Sequence, residues 1–188
     1  MDRVSEFLHR LYFTAPWCYL AWPAAAMIAG TIVAAILGKS AARLGVVPRT
    51  LPGLLGIVTG PFVHANAAHL AANLPPFLVL GALVLRRDEP RFLAVAAAIA
   101  LAQGGLVWLF GRNAAHVGMS GVIFGFFGYL LAAAWLTKST ADLLVAAGML
   151  LFYGGMLAGL KPARDGTSWE GHLFGLLAGL AVAWLAMR

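Results

Sequence analysis

The chain has 188 residues, of which 62% are hydrophobic and only 11% charged, with a formal net charge of +6. A soluble globular chain is roughly half apolar and about a quarter charged, so these residues cannot cover a water-facing surface, and the composition points to a multi-span membrane protein. The Lys and Arg residues lie mostly between apolar runs, where anionic headgroups account for them, and no basic cluster interleaved with aromatics marks a nucleic-acid surface.

A spanning helix takes about 20 mostly apolar residues, and six stretches approach that length. The first covers 17–37. It begins some distance from Met1, behind a segment in which Asp2 and Glu6 sit among Arg3 and Arg10. It is therefore expected to be a retained span and not a cleaved signal. The single cysteine, Cys18, has no partner for an internal disulfide and is expected to be a small buried hydrophobe.

Residues 39–68 form a long connection, polar at Lys39, Arg43 and Arg49 and apolar from Leu51 to Val63. The apolar part is too short to span. Pro52, Gly53, Gly56, Gly60 and Pro61 predict irregular backbone there, half-inserted and packed against the bundle.

The second span covers 69–85 and is closed by Arg86-Arg87-Asp88-Glu89-Pro90-Arg91. Pro75-Pro76 removes two N–H groups from it and predicts a bend. The third covers 92–110, the fourth 119–136, the fifth 143–160 and the sixth 171–187. The expected fold is an all-α membrane protein, a compact bundle of six transmembrane helices with a long membrane-associated loop between helices 1 and 2. Residues 1–188 are expected to form one domain. Charge does not orient the bundle: with the termini inside, Arg3, Arg10, Arg86, Arg87, Arg91, Lys138 and Arg188 face Lys39, Arg43, Arg49, Arg112, Lys161 and Arg164, seven against six.

Polar side chains inside a span cost several kcal/mol unless they face the interior or water. His69, Asn73, Ser120 and His172 each stand in the first turn or two of spans two, four and six. Those spans run in the same direction, so the four groups share one face at a shallow depth. Gly121 and Gly125, and Gly171, Gly175 and Gly179, repeat at four-residue spacing and allow spans four and six to pack backbone to backbone. His172 is three residues before Gly175 and Ser120 adjoins Gly121, which brings the two within hydrogen-bond reach.

A serine hydroxyl becomes a nucleophile when an imidazole takes its proton, and the resulting oxyanion needs donors. His69 and Asn73, at i and i+4, project from one helical face and can both donate, as can the unpaired N–H groups at the helix start beside Ser120. No carboxylate lies inside any of the six stretches. Asp165 and Glu170 precede the sixth and are expected to be solvated, which leaves a dyad. Taken singly, Gly-x-Ser-Gly is a packing motif and Asn73 an interhelical hydrogen-bonding group; the joint placement favours a site. His64, His69, His116 and His172 near one face raise zinc as an alternative. No His-Glu-x-x-His motif is present and no carboxylate or thiolate joins them, which disfavours a metal site.

These residues resemble the rhomboid intramembrane serine proteases over nearly the whole chain. Three motifs carry the resemblance: His64-Ala-Asn-Ala-Ala-His69-Leu-Ala-Ala-Asn73; Gly118-Met119-Ser120-Gly121 with Phe124 and Gly128; and Gly171-His172-Leu173-Phe174-Gly175 with Gly179. The resemblance implies Ser120 as nucleophile, His172 as base, and an oxyanion hole of His69, Asn73 and the Ser120 N–H. It implies that His64 is a buried structural histidine and that Phe124 stacks beneath the His172 ring. It further implies transmembrane protein substrates cleaved at small residues, no metal and no cofactor, and an inner (plasma) membrane location. The termini would be cytoplasmic and the site would open toward the outer face. Leu51–Val63 looks like the family's embedded first loop, and the fifth span like the helix that gates lateral access. The chain departs from the family pattern at Gly171, where alanine is frequent, and lacks the Trp-Arg pair that some members carry in the first loop; Arg49 is a candidate for its place. The alternative reading is a rhomboid-like pseudoprotease that binds membrane clients.

Overall fold

The computed structural model describes residues 16–162 and 167–188. Asp2, Arg3, Glu6, Arg10, Arg164 and Asp165 lie outside the described residues. The fold is an all-α membrane bundle: α1 (Cys18–Leu37), α2 (Leu51–Thr59), α3 (Ala67–Arg87), α4 (Phe92–Phe110), α5 (Ser120–Thr137), α6 (Thr140–Tyr153) and α7 (Trp169–Ala186). Among the described residues six helices are long and apolar enough to cross a membrane: α1, α3, α4, α5, α6 with its continuation to Leu160, and α7.

The central element is α5. It packs against α3, α4, α6 and, most extensively, α7, and its Phe126, Phe127 and Tyr129 are fully buried. The outer helices turn large apolar side chains such as Ile36, Leu151 and Phe152 outward, as expected where lipid replaces water.

Polar caps set where helices begin. Asn66 accepts from the His69 N–H at 2.8 Å to start α3, Ser139 accepts from the Asp142 N–H at 3.1 Å to start α6, and Ser168 accepts from the Gly171 N–H at 3.3 Å to start α7. The last of these starts α7 two residues earlier than expected, so Glu170 falls inside the span.

The predicted irregular segment is instead helical. Thr50 caps α2, and Pro52 falls in its first turn, where no intrahelical N–H is needed. A 3₁₀ turn, Gly60–Phe62, continues it. The glycines are there for close approach and not for irregularity: a Cβ on Gly53 would overlap the Val47 carbonyl, and one on Gly56 the Gly45 carbonyl. Arg49, at φ +58, donates to the carbonyls of Leu109 at 3.1 Å and Gly111 at 2.9 Å and to Asn113 Oδ1, while Trp108 Nε1 donates to Thr50 O at 2.8 Å. Arg49 thus ties the first loop to the end of α4.

α3 is α-helical across Pro75-Pro76. The fifth span changes character at Gly154 and finishes as a 3₁₀ helix, Gly154–Leu160.

Candidate active site

Three first turns converge. Ser120 is the first residue of α5, His172 lies in the first turn of α7, and His69 and Asn73 lie in the first two turns of α3. The shared depth of these side chains follows from the parallel course of the three helices.

The Ser120 Oγ to His172 Nε2 distance is 2.9 Å. On the other side of the ring His172 Nδ1 lies 2.9 Å from the Gly159 carbonyl. A carbonyl only accepts, so Nδ1 carries the proton and Nε2 presents its lone pair to the serine hydroxyl. Phe124, one turn beyond Ser120, lies under the imidazole with ring centroids 4.4 Å apart and planes 12° apart.

Glycines of both helices hold them together. A Cβ on Gly175 would overlap the Gly121 carbonyl, and one on Gly179 the Gly125 carbonyl, so α7 presses its glycines directly on the α5 backbone. On α5, Gly121 faces Gln103 of α4, Gly125 faces Ile99 of α4 and lies close to the Gly175 carbonyl, and a Cβ on Gly128 would overlap the Leu176 carbonyl of α7. Gly171 is not part of the seam. A Cβ there would stand 2.8 Å from the Ser168 hydroxyl, so the glycine leaves room for the cap.

A cavity of ≈ 660 Å³ opens over the pair, lined by Ser120, His172, His69, Asn73, Phe124 and Met156 among others. His69 Nδ1 receives the Ala65 N–H at 3.4 Å, which leaves the ring proton on Nε2. That edge lies over Gly118, whose Cβ would stand 2.9 Å from Nε2; with φ +107 the position suits glycine on both counts. Asn73 donates one Nδ2 proton to His69 O at 2.8 Å, and its Oδ1 is buried without a protein partner among the described residues.

His64 stands behind this wall, 1% exposed. Its Nε2 accepts from the Met119 N–H at 3.4 Å, its Nδ1 lies 3.2 Å from Thr31 Oγ1, and its ring meets His69 edge-on at 5.1 Å. Burial, then the neighbouring His69, pushes its pKa down to about 4, against the opposing Phe62 backbone. It links α1, the first loop and the start of α5 as a neutral ring.

Glu170 corrects the expectation that it is solvated. It is 4% exposed, receives the Arg112 N–H at 3.4 Å and faces Arg112 Nε at 3.6 Å. The loop before α5 carries the compensating charge; the number of residues between spans does not reveal it. The Gly159 carbonyl, which holds the His172 ring, has no signature in the sequence, because a backbone acceptor is independent of residue type. Among the described residues no group of three or more His, Cys, Asp or Glu side chains is placed to hold a metal ion.

A rhomboid-domain family model matches residues 52–188. An uncharacterized protein of Mycobacterium tuberculosis is 37% identical over 150 residues, covering 75% of this chain and 62% of that protein. One of Mycobacterium leprae is 37% identical over 141 residues, covering 70% of this chain and 56% of that protein. The chloroplastic Rhomboid-like protein 11 of Arabidopsis thaliana is 29% identical over 151 residues, covering 73% and 54%. The chain therefore spans less than two thirds of the length of these relatives.

Proposed function

The chain belongs to the rhomboid family, and from that premise we propose that it is an intramembrane serine endopeptidase working through a Ser120–His172 dyad. The observation that carries the reading is the 2.9 Å contact between Ser120 Oγ and the unprotonated Nε2 of His172, set in a cavity with donors on the facing helix. Packing alone requires neither the tautomer nor the donors.

The chemistry follows from those positions. Ser120 Oγ attacks the scissile carbonyl carbon as His172 Nε2 takes the hydroxyl proton. The carbonyl oxygen becomes an oxyanion, met by His69 Nε2–H, the free Asn73 Nδ2 proton and the N–H groups at the start of α5, where the helix dipole also favours negative charge. His172 then returns its proton to the leaving amine as the C–N bond breaks. Water, deprotonated by the same nitrogen, hydrolyses the acyl-enzyme. The Gly159 carbonyl takes the place of an acid as acceptor for Nδ1–H, and Phe124 holds the ring plane.

Substrates in this reading are transmembrane proteins with a small residue at the cleavage point. They reach the cavity past the fifth span, which is the least buried of the six and lines the cavity with Gly155, Met156 and Gly159. The termini face the cytoplasm and the site opens toward the outer face of the bacterial inner membrane. Purified protein in detergent is expected to cleave such a substrate, and Ser120→Ala and His172→Ala to abolish cleavage. Activity above background in Ser120→Ala would sink the assignment. Covalent labelling of Ser120 by a fluorophosphonate separates a protease from a client-binding pseudoprotease.

A further inference from the structure

His116 takes no part in that chemistry and does not line the cavity, yet it is buried, 6% exposed, and fully engaged. Its backbone forms an antiparallel bridge with Val46, His116 N–H to Val46 O and Val46 N–H to His116 O both at 2.9 Å. Its side chain crosses to the other half of the site. Nδ1 lies 2.6 Å from Ser168 Oγ, and Nε2 lies 3.1 Å from the Arg112 carbonyl. The carbonyl requires Nε2–H, so in the neutral ring Nδ1 is a lone pair that accepts the serine hydroxyl proton. The Ser168 oxygen in turn accepts from the Gly171 N–H as the cap of α7. Burial lowers the His116 pKa, which favours that neutral ring; the Arg112 backbone and Glu170 act against the shift and the Arg112 charge adds to it.

The placement is symmetrical about the dyad. His116 is four residues before Ser120, and Ser168 is four residues before His172. We propose that His116 is a positioning residue: through the Ser168 cap it sets the depth and rotation of the first turn of α7, and so of His172, relative to Ser120. Below the dyad the seam of Gly175 and Gly179 fixes the distance between the helices. Above it the loop holding His116 is tied to the cap of α7, with Arg112 Nη2 on Thr167 O at 2.6 Å and the Arg112–Glu170 pair alongside. A misplacement of about 1 Å is enough to cost on the order of 100-fold in rate.

The inference rests on the dyad reading, and the test separates the two. The rate of Ser120 labelling by a fluorophosphonate, and kcat and KM on a transmembrane substrate, are measured for wild type, His116→Ala, His116→Asn, His116→Gln, Ser168→Ala and the His116→Ala/Ser168→Ala double variant. Asn places a polar atom where Nδ1 stands, and Gln one where Nε2 stands. Expected are losses of about 10- to 100-fold in labelling rate and kcat for His116→Ala, His116→Gln and Ser168→Ala, with KM within two-fold or so. His116→Asn should keep most of the wild-type rate, and the double variant should be no worse than either single one. Losses that multiply in the double variant overturn the brace. So do equal losses in the Asn and Ala variants, or a change confined to KM. If His116→Ala unfolds, Ser168→Ala decides from the other side. Absence of Ser120 labelling in the wild type overturns the dyad, and the brace with it; normal labelling in both wild type and His116→Ala overturns the brace alone.

Discussion

The imidazole of His172 is held on three sides, by the Ser120 hydroxyl, the Gly159 carbonyl and the Phe124 ring. A Cβ on Gly159 would stand 2.9 Å from Nδ1 and 3.5 Å from Phe124 Cζ. Gly159→Ala is therefore expected to displace the ring and lower kcat about 10- to 100-fold, with thermal stability little changed, since no residue of the 3₁₀ segment is fully buried. A kcat equal to wild type would show that the carbonyl does not orient the base. His64 makes a second prediction at this scale. Its folded pKa, about 4, lies below the ordinary value of about 6.5. Above pH 6.5 neither state binds the proton. Between about 6.5 and 4 the unfolded chain binds it and the folded one does not. Stability therefore falls as pH falls through that window, by on the order of 3 kcal/mol. His116 adds to the slope with the same sign. The unfolding midpoint in detergent, followed from pH 7.5 to 4.5, should drop less in His64→Gln than in wild type. An unchanged slope would contradict the assignment.

At the scale of elements, α7 meets α5 through backbone. Gly175→Ala puts a methyl group into the Gly121 carbonyl, and α7 must shift. The expected cost is about 1–3 kcal/mol of stability together with loss of Ser120 labelling. Gly105→Ala and Gly148→Ala have nothing within 4 Å of the added Cβ and should match wild type in both readouts, so equal effects at all three would refute the seam. The same physics governs α2. Its glycines read as helix breakers in the sequence, yet they are what allow a short helix to lie on the Gly45–Val47 backbone. Propensity was overridden by tertiary approach.

For the whole molecule, the parallel first turns of α3, α5 and α7 place every candidate group on one side of the bundle. The α5–α6 connection around Lys138 and the α6–α7 connection around Lys161 emerge on opposite sides of the membrane. In intact cells carrying a Cys18→Ala background, Lys161→Cys is expected to react with an impermeant maleimide from outside, and Lys138→Cys only after lysis. The reverse pattern would invert the proposed orientation, which the even distribution of Lys and Arg leaves open.

Apolar run length by itself determined the six spans, because lipid tolerates little else at that length. α4, for example, occupies 92–110. The polar residues that deserved notice were legible for the same reason, since His69, Asn73, Ser120 and His172 stand where burial is costly. Contacts made by backbone, or between residues far apart in the chain, were decided only by the tertiary structure. The helical form of Leu51–Thr59, the Gly159 carbonyl behind His172, the buried Glu170 beside Arg112 and the bridge from His116 to Ser168 all depend on which carbonyl or loop lies opposite. That is a property of packed helices, and residue type and spacing along one strand of chain do not carry it.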